Sequence, residues 1–565
     1  MSLSIEAALL GLVPLFPLAC AALCQHPRTR VAARALTPWS AFPALVIALT
    51  VQVGTSVRVD AILLGLEFAL DATGQIFLVF TSLLWWIAGL YAHAYLKGDD
   101  RESSFLLFFA LALAGNLGLI VSQDVLSFYS FFALMSLASY GLVIHGRSEA
   151  SLRAGRVYMV FAIGGELALF AGLVGLAAGA GTLHFDQFAS SPPPPWALAC
   201  AAAGFGVKAG ALGLHLWLPL AHPAAPIPAS AVLSGAMIKA GLLGWIRVLP
   251  LGSPGFEGWG WALFGAGIAA AFYGAAVGVT QRDPKAVLAY SSVSQMGLMT
   301  AGLGFGLAYP AWSEAALVAV LLYAVHHALA KAALFLGVGV ASRMGASWRN
   351  AVGIGLAIPA LSLAGAPLTS GALAKSLLKA PIAEASVAGP GIVLLLSFAA
   401  VGTTLLMIRF LIVLPRGGST DVGRHLGLLL PWLALVLLGP VLAFAPWPAV
   451  GSTSLDLLTP RKLAVGLAPV LAGVLLAAFA SRLIESRPRL RIELPPGDLL
   501  VFFTRRPTRA SQPTRVPVSA AVSAGRVAAV SRHAVRLEEL LAAGPVAGAL
   551  WLGLILAFLL LTSLG

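Results

Sequence analysis

Residues 201–250 read AAAGFGVKAGALGLHLWLPLAHPAAPIPASAVLSGAMIKAGLLGWIRVLP. Two apolar segments, each long enough for a membrane helix, carry one lysine apiece near their middles, Lys208 and Lys239. Between them lie His215, Trp217, Pro219, His222, Pro223, Pro226 and Pro228. A lysine at the bilayer centre costs at least ~2.5–3.5 kcal/mol, so it rarely stays there without a partner or a role. Proline-broken backbone is tolerated at that depth only where protein or a water-lined cavity surrounds it. Together these features predict an ion path, with the rest of the chain as its housing.

The composition agrees. With 59% hydrophobic and 10% charged residues and a mean hydropathy of +0.92, the chain reads as a polytopic membrane protein. Its formal charge of +13 reflects basic cytoplasmic loops rather than a nucleic-acid surface, so no nucleic-acid partner is expected. Cys20, Cys24 and Cys200 form no disulfide framework and no CxxC site. No resident metal or cofactor is expected. The N-terminus lacks a charged leader region, so residues 4–24 read as a retained helix.

Apolar windows suggest roughly sixteen spans. They lie near 4–24, 37–55, 73–96, 103–121, 124–144, 156–179, 196–214, 227–249, 259–280, 286–306, 313–341, 352–379, 389–413, 426–446, 463–482 and 541–563. Residues 56–71 are too short and too alternating to span and read as an extended hairpin on one membrane face. With the N-terminus outside, the inside loops hold most cations, from Arg28, Arg30 and Arg34 through Arg282 and Lys285 to Arg416 and Arg424. Residues 482–536 add eleven arginines on that side. The asymmetry and an even number of spans predict both termini outside; the expected location is a bacterial inner membrane.

The spans fall into blocks. Residues 1–102 hold the N-terminal helices and the hairpin, 103–249 a first half-channel repeat, and 250–413 a second with a central relay helix. Residues 414–484 add further helices, 485–540 an Arg/Pro-rich cytoplasmic linker with a surface helix over 519–540, and 541–565 a last span. The expected fold is all-α, with two inverted repeats of about five helices, each containing a broken helix. Lys208 lies upstream of Pro219 in one, and Lys375 downstream of Pro367 in the other.

Five strings carry a resemblance: FYSFFALMSLASYGLV (128–143), VKAGALGLHLWLPLAHPAAPIPAS (207–230), QRDPKAVLAYSSVSQMG (281–297), HHALAKAALFLG (326–337) and GAPLTSGALAKSLL (365–378). The chain resembles the antiporter-like, proton-conducting membrane subunits of respiratory complex I, group 4 membrane-bound hydrogenases and multisubunit cation/proton antiporters. The AHPAAP and GALAK stretches look most like hydrogenase-type and stand-alone forms, including the membrane partner of inorganic-carbon accumulation complexes.

The resemblance places Lys208 and Lys239 on the broken seventh helix and on the eighth, and Lys375 on the twelfth as the exit-side lysine. An ammonium taken out of water can lose and regain its proton as a neighbour's charge changes. Tyr323, His327 and Lys331 recur at i, i+4 and i+8 and line one helix face, with His326 pointing elsewhere; the resemblance makes that helix the central relay. His215 sits at the break, either to pass a proton to Lys239 or to cap freed backbone. His222 reads as interfacial, Asp283 and Lys285 as a structural pair, and Lys379 as a snorkelling lysine. Family members carry a Trp-Glu pair where this chain has Phe132-Ala133. Glu166, beside Gly164 and Gly165, is the acidic residue well inside a nearby span, and we expect it to replace that glutamate as partner of Lys208.

Three functions compete. The first is a proton-translocating subunit working with other membrane and soluble subunits, the second a cation/proton antiporter moving protons or sodium, the third a redox enzyme. The third finds neither CxxC, a glycine-rich dinucleotide turn nor facing haem histidines, so no redox chemistry is expected of this chain alone.

Overall fold

The structure, a computed structural model, describes residues 5–59, 65–190, 192–385, 389–415, 426–444, 459–487 and 494–497. Helices α1 (Ile5–Leu23), α2 (Arg30–Leu36) and α3 (Phe42–Thr50) lead into an antiparallel hairpin of β1 (Ser56–Val59) and β2 (Leu66–Ala69). Next come α4 (Ala72–Tyr95), α5 (Glu102–Val121), α6 (Val125–Val143) and α7 (Glu149–Ala180). The stretch around Lys208 and Lys239 forms α8 (Pro195–Ala209), α9 (Leu218–Ala224), α10 (Ile227–Val232) and α11 (Ile238–Val248). Then follow α12 (Glu257–Gly278), α13 (Pro284–Ala308), α14 (Ser313–Arg343), α15 (Arg349–Ala364), α16 (Ser370–Ala385), α17 (Gly389–Ile412), α18 (Leu426–Phe444) and α19 (Pro460–Ser486).

Local chemistry sets several boundaries. Asp71, Asp124, Ser148 and Asp283 accept backbone N–H groups at the starts of α4, α6, α7 and α13, the usual device for satisfying orphan donors. Asp283 uses its carboxylate on the backbone of Lys285 and Ala286. The Lys285 ammonium goes instead to the Ala225 carbonyl at 2.7 Å, so the expected Asp283–Lys285 side-chain pair is replaced by two separate caps.

Twelve helical segments among the described residues are long and apolar enough to cross a membrane, and the chain is a mostly helical polytopic membrane protein. They coincide with twelve of the sixteen windows. Of the other four, 541–563 lies outside the described residues, as do the surface helix of 519–540 and most of the Arg/Pro-rich linker. The window 286–306 is α13, long enough but carrying Ser291, Ser292, Ser294, Gln295 and Thr300. The windows 196–214 and 352–379 are broken: α8 ends at Ala209 and α9 starts at Leu218, while α15 ends at Ala364 and α16 starts at Ser370. Both helices before the breaks end on a left-handed glycine, Gly210 (φ +73°) and Gly365 (φ +87°), a conformation glycine adopts without steric cost.

The hairpin pairs Val57 with Phe68 and Arg58 with Glu67. Glu67 ties it to the helices: its N–H donates to Asp124, its carbonyl accepts from Gln123 N–H, and its carboxylate meets His184 at 3.1 Å. The core sits around α5, α11, α13 and α14, buried on nearly every side, whereas α19 is exposed along most of its length. Tyr91 and Trp432 donate to the carbonyls of Leu336 and Ala333, fastening α4 and α18 to the central α14.

Candidate ion-conduction site

Small residues bring the first lysine and the glutamate together. Gly165 of α7 lies against Val207, and Gly204 of α8 lies against the Gly165 carbonyl and Leu169. Such contacts let helices approach closely, and they put Glu166 and Lys208, each next to a contact residue, on one small cavity with Ser136, Tyr158 and Trp217. Lys208 Nζ donates to Tyr158 OH at 3.2 Å and lies 5.6 Å from that ring's centroid. Tyr158 OH in turn donates to the Ser136 carbonyl at 2.6 Å. Glu166 is buried, and its Oε2 has no hydrogen-bond partner. Glu166 and Lys208 act on one another's charge across the cavity, while the phenol holds the ammonium.

Past Gly210 the chain unwinds before α9. Trp217 Nε1 donates to the Val207 carbonyl at 2.9 Å, satisfying an acceptor freed by the break. His215 Nδ1 accepts from Gly213 N–H at 3.3 Å, the capping role considered for it, and the buried ring faces Tyr273 and Tyr290. His222 is not interfacial. It is fully buried, stacked on Phe335 at 4.7 Å, with neither ring nitrogen hydrogen-bonded.

Lys239 follows a π-helical segment, Leu233–Met237, inserted between α10 and α11. Its Nζ donates to the Ser234 carbonyl at 2.6 Å, and Ser234 Oγ meets Ser292 Oγ of α13 at 2.8 Å. Gly241 lets α11 lie against the backbone of Phe205 and Ala209 near the end of α8.

On α14, Tyr323 OH donates to Gln295 Oε1 at 2.8 Å and Lys331 Nζ to the Leu288 carbonyl at 2.6 Å. Both partners belong to α13, so the i, i+8 face is real. His327 lies on that face with neither ring nitrogen hydrogen-bonded. His326 turns to the second break, where its Nδ1 lies 2.9 Å from Ser370 Oγ. Lys375 Nζ donates to the carbonyls of Leu363 and Ala364 at 2.8 and 2.9 Å, the last acceptors of α15, where a cation is favoured. Lys379 donates to Ser397 Oγ of α17 at 2.9 Å.

Lys208, Lys239, Lys331 and Lys375 therefore all turn inward and are buried. A charge-assisted hydrogen bond recovers part of the desolvation cost of each. The sequence reading missed Tyr158, Gln295 and Ser370. Hydroxyl and amide groups have no spacing signature inside an apolar helix, and only packing reveals their aim. No cluster of three His, Cys, Asp or Glu side chains suited to a metal occurs among the described residues.

Comparison with known proteins places this geometry. The chain is similar to the NADH-quinone oxidoreductase subunit N of Desulforudis audaxviator (strain MP104C), 29% identical over 55% of this chain and 65% of that protein. It is also similar to the A/B component of a probable K(+)/H(+) antiporter of Rhizobium meliloti (strain 1021), 30% identical over 58% of this chain and 34% of that one. A third relative, the A1 component of a Na(+)/H(+) antiporter of Staphylococcus aureus (strain JH9), is 28% identical over 55% of this chain and 42% of its own length. The matches thus span between about a third and two thirds of these relatives' lengths. By fold the chain matches the Mrp complex of Dietzia sp. DQ12-45-1b, with a TM-score of 0.72 and 22% identity over 97% of this chain and 62% of that one. It also matches the membrane-bound sulfane sulfur reductase, an archaeal respiratory membrane complex, with a TM-score of 0.64 and 18% identity over 84% of this chain and 99% of that one. Residues 122–406, just over half of the sequence and including both breaks and all four lysines, match the transmembrane family of NADH:quinone oxidoreductases and Mrp antiporters, and the chain belongs to that family.

Proposed function

We propose that the chain is the proton-translocating subunit of a complex I-like assembly, of the quinone-oxidoreductase, membrane-bound-hydrogenase or inorganic-carbon-accumulating kind. Protons pass along Glu166, Lys208, His215, Lys239, His327, Lys331 and Lys375. The observation that carries this reading is that four buried lysines, at two helix breaks, a π turn and the helix between, all point into the protein. Burying an ammonium costs several kcal/mol, and its hydrogen bond recovers only part of that, so stability alone is a weak reason to keep four of them. A row of them, interleaved with buried imidazoles, is suited to passing one proton at a time.

In this reading the two breaks mark two inverted half-channels within about sixteen spans, both termini face outside the bacterial inner membrane, and Glu166 replaces the carboxylate absent at Ala133. The driving chemistry belongs to soluble and membrane partner subunits, and the chain itself does no redox work. The family's antiporter branch supplies a second reading, a component of a multisubunit Na+/H+ antiporter, favoured by the antiporter names of two relatives.

Reconstitution in vesicles with whatever subunits co-purify tests this. Proton uptake that is driven by the partner and lost in Lys239→Ala and Lys375→Ala supports the first reading. Sodium-dependent proton exchange by the chain supports the second. Parental proton movement in both variants overturns conduction along this row.

A further inference from the structure

Adjacent residues on a helix point about 100° apart, so the two neighbouring histidines of α14 serve different surroundings. His327 shares the Lys331 face. His326 faces α15 and α16, with Nδ1 2.9 Å from Ser370 Oγ, and Ser370 Oγ lies 3.3 Å from Ser362 Oγ. Ser362 belongs to the last turn of α15 and Ser370 begins α16, so the two hydroxyls bridge the break. The same turn of α15 supplies the Leu363 and Ala364 carbonyls that hold Lys375. Both groups therefore converge on one helix end from different sides.

Two further facts belong to this junction. A Cβ at Gly371 would meet the Ser362 carbonyl and come within 3.0 Å of His326 Cε1, so the ring lies directly against the backbone of the break. His326 Nε2 is buried with no hydrogen-bond partner, while Nδ1 meets Ser370 Oγ. The electrostatics match: the charges of Lys375 and Lys239 both reach His326, whereas those acting on His327 are Lys239, Lys331 and His326.

We infer that the proton crosses from the central helix to Lys375 through His326, Ser370 and Ser362, and not through His327. The inference rests on the conduction reading above. A proton taken at Nε2 makes the imidazolium. The N–H bond at Nδ1 then breaks as Ser370 Oγ gains a proton and releases its own towards Ser362, which does the same. The Lys375 amine, neutral beforehand, ends as an ammonium, and His326 ends as the neutral Nε2–H tautomer, which regains its starting Nδ1–H form by ring rotation or proton exchange before the next transfer. Charge and protons balance with no added reagent.

The test uses the full chain with its co-purifying subunits in vesicles, and reads initial proton flux together with the unfolding midpoint of each variant. His326→Asn keeps a hydrogen-bonding side chain but cannot relay a proton, and flux should fall by about 10²-fold, the scale of a lost acid–base group. Ser370→Ala should lower flux, and Ser370→Thr, which restores the hydroxyl, should recover it while Ala and Thr unfold alike. The rescue keeps the test valid if His326→Asn fails to fold. Parental flux in a folded His326→Asn, or equal flux in Ser370→Ala and Ser370→Thr, overturns the inference provided Lys239→Ala and Lys375→Ala are inactive. If those two lysine variants also conduct, the conduction reading itself has failed.

Discussion

Lys239 Nζ donates to the carbonyl of Ser234, five residues earlier on its own helix, at 2.6 Å. The bond exists because Leu233–Met237 is wound as a π turn. Such a turn interrupts the regular i−4 ladder, and π turns gather at functional sites for that reason. The lysine thus supplies a donor to the Ser234 carbonyl within that irregular turn.

Removing the ammonium should cost more than removing the neighbouring hydroxyl. Lys239→Met leaves the Ser234 carbonyl without this charged donor, a loss of about 1–3 kcal/mol, whereas Ser234→Ala gives up only the 2.8 Å bond to Ser292, about 0.5–1.5 kcal/mol. Thermal unfolding in detergent ranks the two. If Ser234→Ala melts lower, the inter-helix hydroxyl pair, not the ammonium, is what holds the π turn.

Glu166 and Lys208 share a cavity without the carboxylate taking the ammonium's hydrogen bond, which Tyr158 receives. If Glu166 is the displaced partner of Lys208, Glu166→Gln should cut proton flux by about tenfold or more, in the same direction as Lys208→Ala. Parental flux in Glu166→Gln beside a dead Lys208→Ala would leave Glu166 as a packing residue. Tyr158→Phe separates the two roles: it frees the ammonium from its holder and should alter flux without unfolding the chain.

How much of this was legible in the sequence depends on the kind of interaction. The cost of a lysine in hydrocarbon is a property of the residue, so Lys208, Lys239, Lys331 and Lys375 stood out at once. Pro219 likewise announced the first break, and the hairpin of 56–71 showed in its alternation. The π turn before Lys239 could not be seen, because AVLSGAMIKAG is as good an α-helix as any by composition. His222 misled for a related reason: prolines on either side suggest a loop at the surface, but the residue lies in the short helix α9 with its ring stacked on Phe335. His326 was read correctly as facing away from His327, yet what it faces, Ser370, is set by how α15 and α16 pack, which no local pattern records.

The contact between His145 and Asp99, outside the spans, ties stability to pH. His145 Nε2 lies 3.0 Å from Asp99 Oδ2, linking the α6–α7 turn to the α4–α5 turn. Burial pushes the His145 imidazole below the ordinary histidine range, with Asp99 opposing it only in part. Burial pushes Asp99 up, but the His145 hydrogen bond, the Arg101 N–H and the charges of both residues outweigh it and leave the carboxyl below its usual range. Both groups are depressed on folding, so each contributes stability at neutral pH that is lost as pH falls. The loss starts below the ordinary histidine value of ~6.5. The unfolding midpoint should drop between about pH 7.5 and about pH 5.5, and His145→Gln should flatten part of that drop. An unchanged slope in His145→Gln would assign the acid sensitivity elsewhere.

The two breaks end on the same kind of glycine, but they should not tolerate a side chain equally. Gly365 has φ +87°, and a Cβ there would lie 2.8 Å from Lys375 Cδ and 3.3 Å from its Nζ. Gly210 has φ +73°, and a Cβ there would meet only Leu218 Cδ1 at 3.3 Å and His215 Cβ at 3.9 Å. Both alanine variants bear the left-handed backbone strain, about 1–2 kcal/mol. Only Gly365→Ala also pushes a lysine off the carbonyls of Leu363 and Ala364. Its flux should therefore fall well beyond its loss of stability, while Gly210→Ala should lose stability and keep most of its flux. Measuring both quantities in both variants separates backbone strain from displacement of Lys375. Equal flux at equal stability would mean that the second break does not depend on where that ammonium sits.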